Sequence, residues 1–499
     1  MPISLGELSS DHAVLGPGER DTRTRPANDA GLLERLICPS CRSDEALTVA
    51  NKNAMLRCAA CNTQFPLVSC GPASIPWLFR RPDVARLDWS ARYKGFLNQS
   101  VTQYNRLNRA LKETLSSGVA RQRIKNSMGA RREHRDQVTS LVAPLNLDGE
   151  VLVPAVTKTL HDKLPKNQGL TNYAGNVFRD WAWDNGENEA LLDAVEEVLS
   201  ADRRDAIGSV LTLGAGACRL SYDMHLKYSP ARSVALDFNP LLLLLGCRVI
   251  HGDVVPLYEF PTAALDEAIS GVLQNCQAPS ALRGDAAERF DFVLGDATNP
   301  PFAPQSFDTV VTPWLIDIIP QDLKDFAPQV NRLLPDGGIW LNTGSLAFFH
   351  EDPRRCYSEG EVFEIIEHSG FEIVAVDHRM VPYLQSPHSA NGRLERIVSF
   401  IARKTATVKC PPNSVRLPDW LLDVTRPVPG SAELVVESSS YLFAAQVTAA
   451  IDGKRSIQAI ARMVAREYEL DMEQCVHAVS RILVDAYENR GAVSLSWQL

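Results

Sequence analysis

Four cysteines come in two pairs of matched spacing, Cys38-Pro-Ser-Cys41 and Cys58-Ala-Ala-Cys61, with sixteen residues between them. Thiolates so spaced suit a tetrahedral zinc site, closed by its four ligands and therefore structural. Redox work by either pair is disfavoured, because neither opens a thioredoxin-like βαβ unit. A second group has different chemistry. The apolar run Val210 to Leu213 ends in Gly214-Ala215-Gly216, and a later apolar run closes on Asp237. Glycines let backbone approach a ligand closely, and a carboxylate at the end of the second strand can hold a ribose. Alone, such a turn leaves the identity of the nucleotide open. Taken singly, Asp317 and His350 read most plainly as a strand-end aspartate capping a helix and a histidine satisfied in a loop.

The elements that must position these residues follow from the apolar pattern. LTVANKNAMLR, between the cysteine pairs, reads as a hairpin that brings them together. Ser209 to Asp237 has the order strand, glycine turn, helix, strand, acid. Further on, GDATNPPFAPQSFDTVV leads into a strand, followed by a helix from Asp322 to Leu334 and a turn at Pro335-Asp336-Gly337-Gly338. Then come IWLNTGSL, a helix beginning near Ser358, FEIVAVD and IVSFIARK. Alternating strands and helices of this kind predict an α/β fold with a twisted open sheet. The segment Asn299-Pro300-Pro301-Phe302 precedes its strand rather than following it, so it reads as a loop over the cofactor and not as a catalytic box.

A chain of 499 residues calls for two to four domains, and its 45% hydrophobic and 22% charged content is that of a globular protein. Residues 1–30 read as a disordered leader, 31–80 as a zinc ribbon and 81–200 as a helical region that is basic to about residue 135. Residues 201–404 form the α/β core, 405–435 a proline-rich linker and 436–499 a C-terminal module. A net charge of −9 argues against a dedicated nucleic-acid binder. Arg80 to Arg135 nevertheless holds fourteen Lys or Arg against four Asp or Glu. That stripe reads as a solvated helix face, with docking of RNA, a phosphate-bearing substrate or an acidic peptide as the other reading. No run approaches a membrane span, and the N-terminus lacks a secretory signal's basic start and apolar core. The other seven cysteines are scattered singly, as in a reducing cytoplasm.

The string Asp296-Ala297, Pro301-Phe302 and Ser306-Phe307-Asp308, joined to the glycine turn and Asp237, resembles the class I S-adenosylmethionine-dependent methyltransferases. The resemblance implies a seven-stranded Rossmann-like core with S-adenosyl-L-methionine as cofactor. It sharpens over residues 170 to 404. Arg179-Asp180-Trp181 upstream, GAGACRLSYD at the turn, WLID, NTGSLAFFH and PYLQSPHSANGRLERIVSFIARK are together similar to the carnosine N-methyltransferase family. By that resemblance Arg179, Gly214, Gly216, Arg219, Asp237, Asp296 and Ala297 line the cofactor, and Asp317, His350 and Tyr383 surround the substrate. The family's further tyrosines near the last strand stand here as Arg393 and Glu395, so the acceptor is left open as a small molecule or peptide. The continuation QFPLVSCGPASIPWLF resembles the ribbon of small zinc-binding methyltransferase activator proteins. The C-terminal pattern, with Ser456 as helix cap, resembles PqqD-like winged-helix modules that hold a leader peptide. Two other functions remain on the page: a tRNA or protein methyltransferase docking its substrate through the ribbon and basic helices, and a non-catalytic leader-peptide scaffold.

Overall fold

The computed structural model describes residues 31–43, 45–50, 54–112, 117–147, 169–202, 206–350, 352–410, 425–468 and 470–489. The leader expected over residues 1–30 lies outside them, as do residues 411–424 of the expected linker. After a one-turn helix α1 (Leu32–Arg35), the strands β1 (Leu47–Ala50), β2 (Met55–Cys58), β3 (Gln64–Cys70) and β4 (Ala73–Leu78) form an antiparallel meander. The hairpin expected between the cysteine pairs is β1–β2, with Leu47 opposite Cys58. Two long helices follow, α2 (Pro82–Lys112) and α3 (Gly118–Val142), then the shorter α4 (Ala174–Trp181) and α5 (Glu187–Ala201). The Ser117 hydroxyl caps α3 by accepting from the Ala120 N–H at 3.2 Å.

The core strands are β5 (Ser209–Leu213), β6 (Arg232–Asp237), β9 (Phe290–Gly295), β10 (Thr309–Pro313), β11 (Ile339–Thr343), β12 (Phe371–Tyr383) and β13 (Arg393–Lys404). They lie in the order β9-β6-β5-β10-β11-β13-β12, and β13 runs against both its neighbours. Every residue of β5, β10 and β11 is buried, as expected of strands covered on both faces. Helices α6 (Arg219–Tyr228), α7 (Pro240–Ile250), α8 (Gly284–Glu288), α9 (Leu323–Leu333) and α10 (Glu359–His368) link the strands. In α7 the leucine run 241–245 is buried on all sides, because one face meets the sheet and the other meets α3 and α4.

Two findings were not legible in the sequence. First, the ribbon and the core share one sheet. Strand β4 pairs in parallel with β9, Trp77 opposite Leu294 and Leu78 opposite Gly295, which extends the sheet to eleven strands. An uncovered β9 would present a row of unpaired backbone groups, and β4 satisfies part of that row. The loop Asn299 to Phe302, expected from the sequence to lie over the cofactor, instead serves the same junction and is absent from the cleft lining. The Asn299 side chain accepts from Arg42 at 2.6 Å and donates to the Pro39 carbonyl at 3.1 Å, and the Ile37 N–H donates to the Pro301 carbonyl at 2.9 Å. Phe302 is wholly buried beneath them. Second, a hairpin of β7 (Val255–Glu259) and β8 (Val272–Cys276) is inserted between α7 and α8, standing against α3 and α4.

Residues 425–468 and 470–489 carry a separate small core, in which α11 (Ala432–Ala449), α12 (Ile457–Tyr468) and α13 (Met472–Asn489) close around Val447, Ile460, Ala461, Val464, Cys475 and Val479. Ser456 accepts from the Ala459 N–H at the start of α12, as its sequence position predicts. No strand occurs among the described residues of this module, so the wing of a winged helix is not among them.

Candidate active site

The four cysteine sulfurs converge at the ribbon's end. All lie within 4.8 Å of one another, with Cys38 Sγ 3.6 Å from Cys61 Sγ and Cys41 Sγ 3.7 Å from Cys58 Sγ. Four sulfurs at zinc–thiolate bond length stand about 3.8 Å apart along the edges of a tetrahedron, so the donor set fits Zn²⁺ in size and type. The two turns are built alike. The residue after each pair, Arg42 (φ +55°) or Asn62 (φ +59°), takes the left-handed conformation, and its N–H donates to the carbonyl of the first cysteine of its pair.

The second site lies at the C-terminal ends of β5 and β6, beside the point where the strand order reverses, between β5 and β10. That is the switch point at which open α/β sheets bind ligands. Gly214 (φ +70°) and Gly216 (φ +58°) both use backbone conformations that other residues resist, and space beside Gly216 is open. Asp237, buried at the end of β6, accepts from the Gly216 N–H at 2.7 Å and the Asn239 N–H at 2.7 Å. Burial pushes its carboxyl up to about 6, against the lowering effect of these backbone donors.

Arg179, Gly214, Gly216, Arg219 and Asp237, drawn from scattered stretches, all line this one cleft, together with Tyr173, Asn176 and Trp314. Asp180 and Trp181 explain why the Arg-Asp-Trp triplet matters. Asp180 forms an ion pair with Arg179 at 2.7 Å, and its carbonyl accepts from Arg219 at 2.7 Å. The Trp181 indole N–H donates to the Ala217 carbonyl at 2.8 Å, and Arg219 lies over its ring. The triplet thus clamps the glycine turn. Arg219 also grips both oxygens of Asp223, whose carboxyl burial raises to about 6. Asp296 and Ala297 are not brought into the cleft lining. The exposed Asp296 carboxylate accepts from the Thr298 N–H and hydroxyl, making a local turn after β9.

A wider cavity of about 720 Å³ adjoins this cleft. Tyr173 and Asn176 line both, and the rings of Trp314 (cleft) and Tyr383 (cavity) meet at 4.6 Å between them. Trp314 sits at the end of β10 with φ +49°, and its buried indole nitrogen has no hydrogen-bond partner among the described residues. Three residues on, Asp317 accepts from the Ser345 hydroxyl at 2.6 Å and the Ala347 N–H at 3.1 Å through one oxygen, while its buried second oxygen has no partner among the described residues; Asp317 lines neither the cleft nor the cavity. Burial raises its pKa, and its charge is felt at Tyr383. Arg393 stacks over Tyr383 at 4.4 Å and pairs with Glu395 at 2.8 Å. His350 is not brought to this place. It is exposed on the loop after β11, where Asp352 N–H and Arg355 contact its two ring nitrogens at 2.9 and 2.8 Å.

The cavity walls come from elements that sequence reasoning did not assign to a site: Phe96 and Gln103 on α2, Arg131 and His134 on α3, and Glu259 and Phe260 on the β7–β8 insertion. Apolar alternation in Val255-Pro-Leu-Tyr-Glu could have revealed the strand. Nothing in the sequence placed it against α3. Burial and neighbouring Arg131 lower His134 to about 4, so it is neutral at physiological pH. The basic excess of this region divides: Arg131 faces the cavity, whereas Arg109, Lys112, Arg123, Lys125 and Arg132 are exposed, mostly towards the end where the two helices meet.

A glycine-turn cleft at the switch point of this sheet, with an acid ending its second strand, suits a nucleotide-bearing cofactor, and with the comparisons that follow the chain is an S-adenosylmethionine-dependent methyltransferase. Within that class, the family model of carnosine N-methyltransferase matches residues 158–406. The carnosine N-methyltransferase of Schizosaccharomyces pombe is 23% identical over 286 residues, covering 47% of this chain and 73% of that protein. Among solved structures, phosphoethanolamine N-methyltransferase 2 of Haemonchus contortus in complex with S-adenosyl-L-methionine is 17% identical, covers 43% of this chain and 44% of its own, and has a TM-score of 0.29. The N-methyltransferase NodS of Bradyrhizobium japonicum is 13% identical, with 45% and 99% covered and a TM-score of 0.29. The ribbon, α2, α3 and the C-terminal helices all lie outside the family match.

Proposed function

We propose that the enzyme methylates a nitrogen, an imidazole nitrogen foremost, of a small molecule or peptide seated in the cavity beyond Tyr383. The observation that carries this reading is the shared wall: Tyr173 and Asn176 border both the cleft and the cavity, so an acceptor in one faces a cofactor in the other. Bound S-adenosylmethionine supplies a sulfonium methyl group open to in-line attack by a nitrogen lone pair. The cleft suits that cofactor: Asp237 holds the ribose hydroxyls, Gly216 lets the chain pass close, and Arg179 and Arg219 attract the carboxylate. The protein then has chiefly to orient and desolvate. Asp317, whose role comes from the family resemblance and which lines neither space here, is the acid that holds an N–H of the acceptor and so directs the other nitrogen's lone pair at the methyl group, and Tyr383 and Trp314 form the aromatic wall beside the acceptor.

The Cys38, Cys41, Cys58 and Cys61 cluster is read as a structural Zn²⁺ site, and the seven other cysteines, scattered singly, support residence in a reducing compartment such as the cytoplasm. No helix among the described residues is long and apolar enough to cross a membrane. The C-terminal helices are read as a PqqD-like peptide holder. The exposed apolar residues Val435, Val436, Tyr441 and Leu442 on α11 support that reading. Titration calorimetry with S-adenosylmethionine, followed by transfer of labelled methyl to imidazole compounds, tests the function. Asp317→Asn and Tyr383→Phe should retain cofactor affinity and lower kcat at least tenfold. A folded, zinc-loaded enzyme that binds no cofactor would sink the proposal.

A further inference from the structure

The cavity carries two opposite charges that no ion pair among the described residues neutralises. Glu259, 4% exposed at the end of β7, has one carboxylate oxygen accepting from the Trp183 indole N–H at 2.9 Å and the Gln274 amide at 2.7 Å, and the other from the Ser386 hydroxyl. All three donors are neutral. Arg131, on α3, donates to Gln103 at 2.5 Å and lies over the Phe260 ring at 4.2 Å; it too meets only neutral groups. Both residues line the cavity, yet they form no ion pair with each other or with any other described residue. Arg393, the cavity's other guanidinium, is already paired with Glu395.

A buried carboxylate with neutral donors only is electrostatically incomplete, and so is a half-buried guanidinium held by an amide and a ring. Opposite charges that share a cavity without pairing are completed by a ligand that brings both complements. We infer that this cavity is a subsite for the non-reacting part of the acceptor, which is a zwitterion: its ammonium group docks on Glu259 among aromatic rings, and its carboxylate or other anionic group docks on Arg131. The inference rests on the nitrogen-methylation reading for the identity of the reacting atom, but not for the two charges. Arg131 belongs to a helix outside the family match.

The experiment uses three probes with the full chain: carnosine, its N-acetyl derivative, which lacks the ammonium, and its decarboxylated analogue, which lacks the carboxylate. Binding is measured by titration calorimetry with S-adenosylhomocysteine present, and methyl transfer with labelled cofactor. The expected result is that each truncated probe binds at least tenfold more weakly than carnosine. Glu259→Gln should erase the difference between carnosine and the N-acetyl compound, and Arg131→Gln the difference between carnosine and the decarboxylated one. The wild-type probe series stands without either variant, should loss of the Trp183 or Gln274 bond unfold Glu259→Gln. Equal binding of all three probes, or no binding of carnosine, overturns the inference. Charge-dependent binding without methyl transfer upholds it and overturns the imidazole reading instead.

Discussion

Alanine at the two glycines of the turn should separate folding from cofactor binding. Gly214 and Gly216 both have positive φ, so an alanine costs about 1–2 kcal/mol of backbone strain at either position. Their surroundings differ. A Cβ on Gly214 would stand 2.8 Å from the buried Leu315 Cδ1, adding overpacking of about 1–3 kcal/mol, for a total of about 2–5 kcal/mol. A Cβ on Gly216 meets nothing within 4 Å and projects into open space beside the cleft-lining backbone. Gly216→Ala should therefore melt only slightly below the wild type, yet bind S-adenosylmethionine at least tenfold more weakly, a loss of about 1.4 kcal/mol or more. Gly214→Ala should show the larger fall in melting temperature. Thermal unfolding and titration calorimetry on both variants decide the matter. A folded Gly216→Ala enzyme with wild-type cofactor affinity would refute the assignment of this cleft.

Three further outcomes are expected. Asp237 is held up at about 6 by burial, above its ordinary 3.8, so the folded state keeps a proton that the unfolded chain releases. Its contribution to stability is present at low pH and is lost as pH rises from about 4 through 6, by up to about 3 kcal/mol. Cofactor affinity should run the other way, rising between pH 5 and 7 as the ionised carboxylate accepts ribose hydroxyls; an unchanged profile in Asp237→Asn would contradict this. Zinc analysis should find one ion per chain, and a chelator or Cys58→Ser should lower the melting temperature of the core as well as the ribbon, because β4 continues the core sheet; thermal unfolding insensitive to chelation would speak against a structural metal. Arg42→Ala removes the bonds to Asn299 and Gln329, worth about 1.5–3 kcal/mol for a buried charged donor, and limited proteolysis should then cut between ribbon and core. Cleavage no faster than in the wild type would count against that clamp.

The local chemistry of this protein was legible in its sequence. Spacing put four cysteines in one site, because two knuckles joined by a hairpin have few other ways to fold. Strand, glycine turn, helix and acid specified a cleft at Gly214, Gly216 and Asp237, since those conformations and positions are fixed within one βαβ unit. Arg179 and Arg219 came with the family resemblance, and the structure places both in that cleft. Asp296, Ala297, Asp317 and His350 came the same way and lie outside the lining of cleft and cavity; Asp296 and His350 are bonded to near neighbours in the chain, and Asp317 to Ser345 and Ala347. What tertiary structure alone decided is long-range. Sequence patterns report which face of an element is buried and not which element buries it. Nothing in Trp77 or Leu78 announces a parallel pairing with β9 more than two hundred residues away, and nothing in Asn299 announces Arg42. The acceptor cavity is the plainest case. Phe96, Arg131 and Glu259 sit on two helices and an inserted hairpin whose separate amphipathic patterns are satisfied by ordinary packing. Only their convergence against Tyr383 leaves a space between them, with one charge of each sign on its walls that no ion pair among the described residues neutralises.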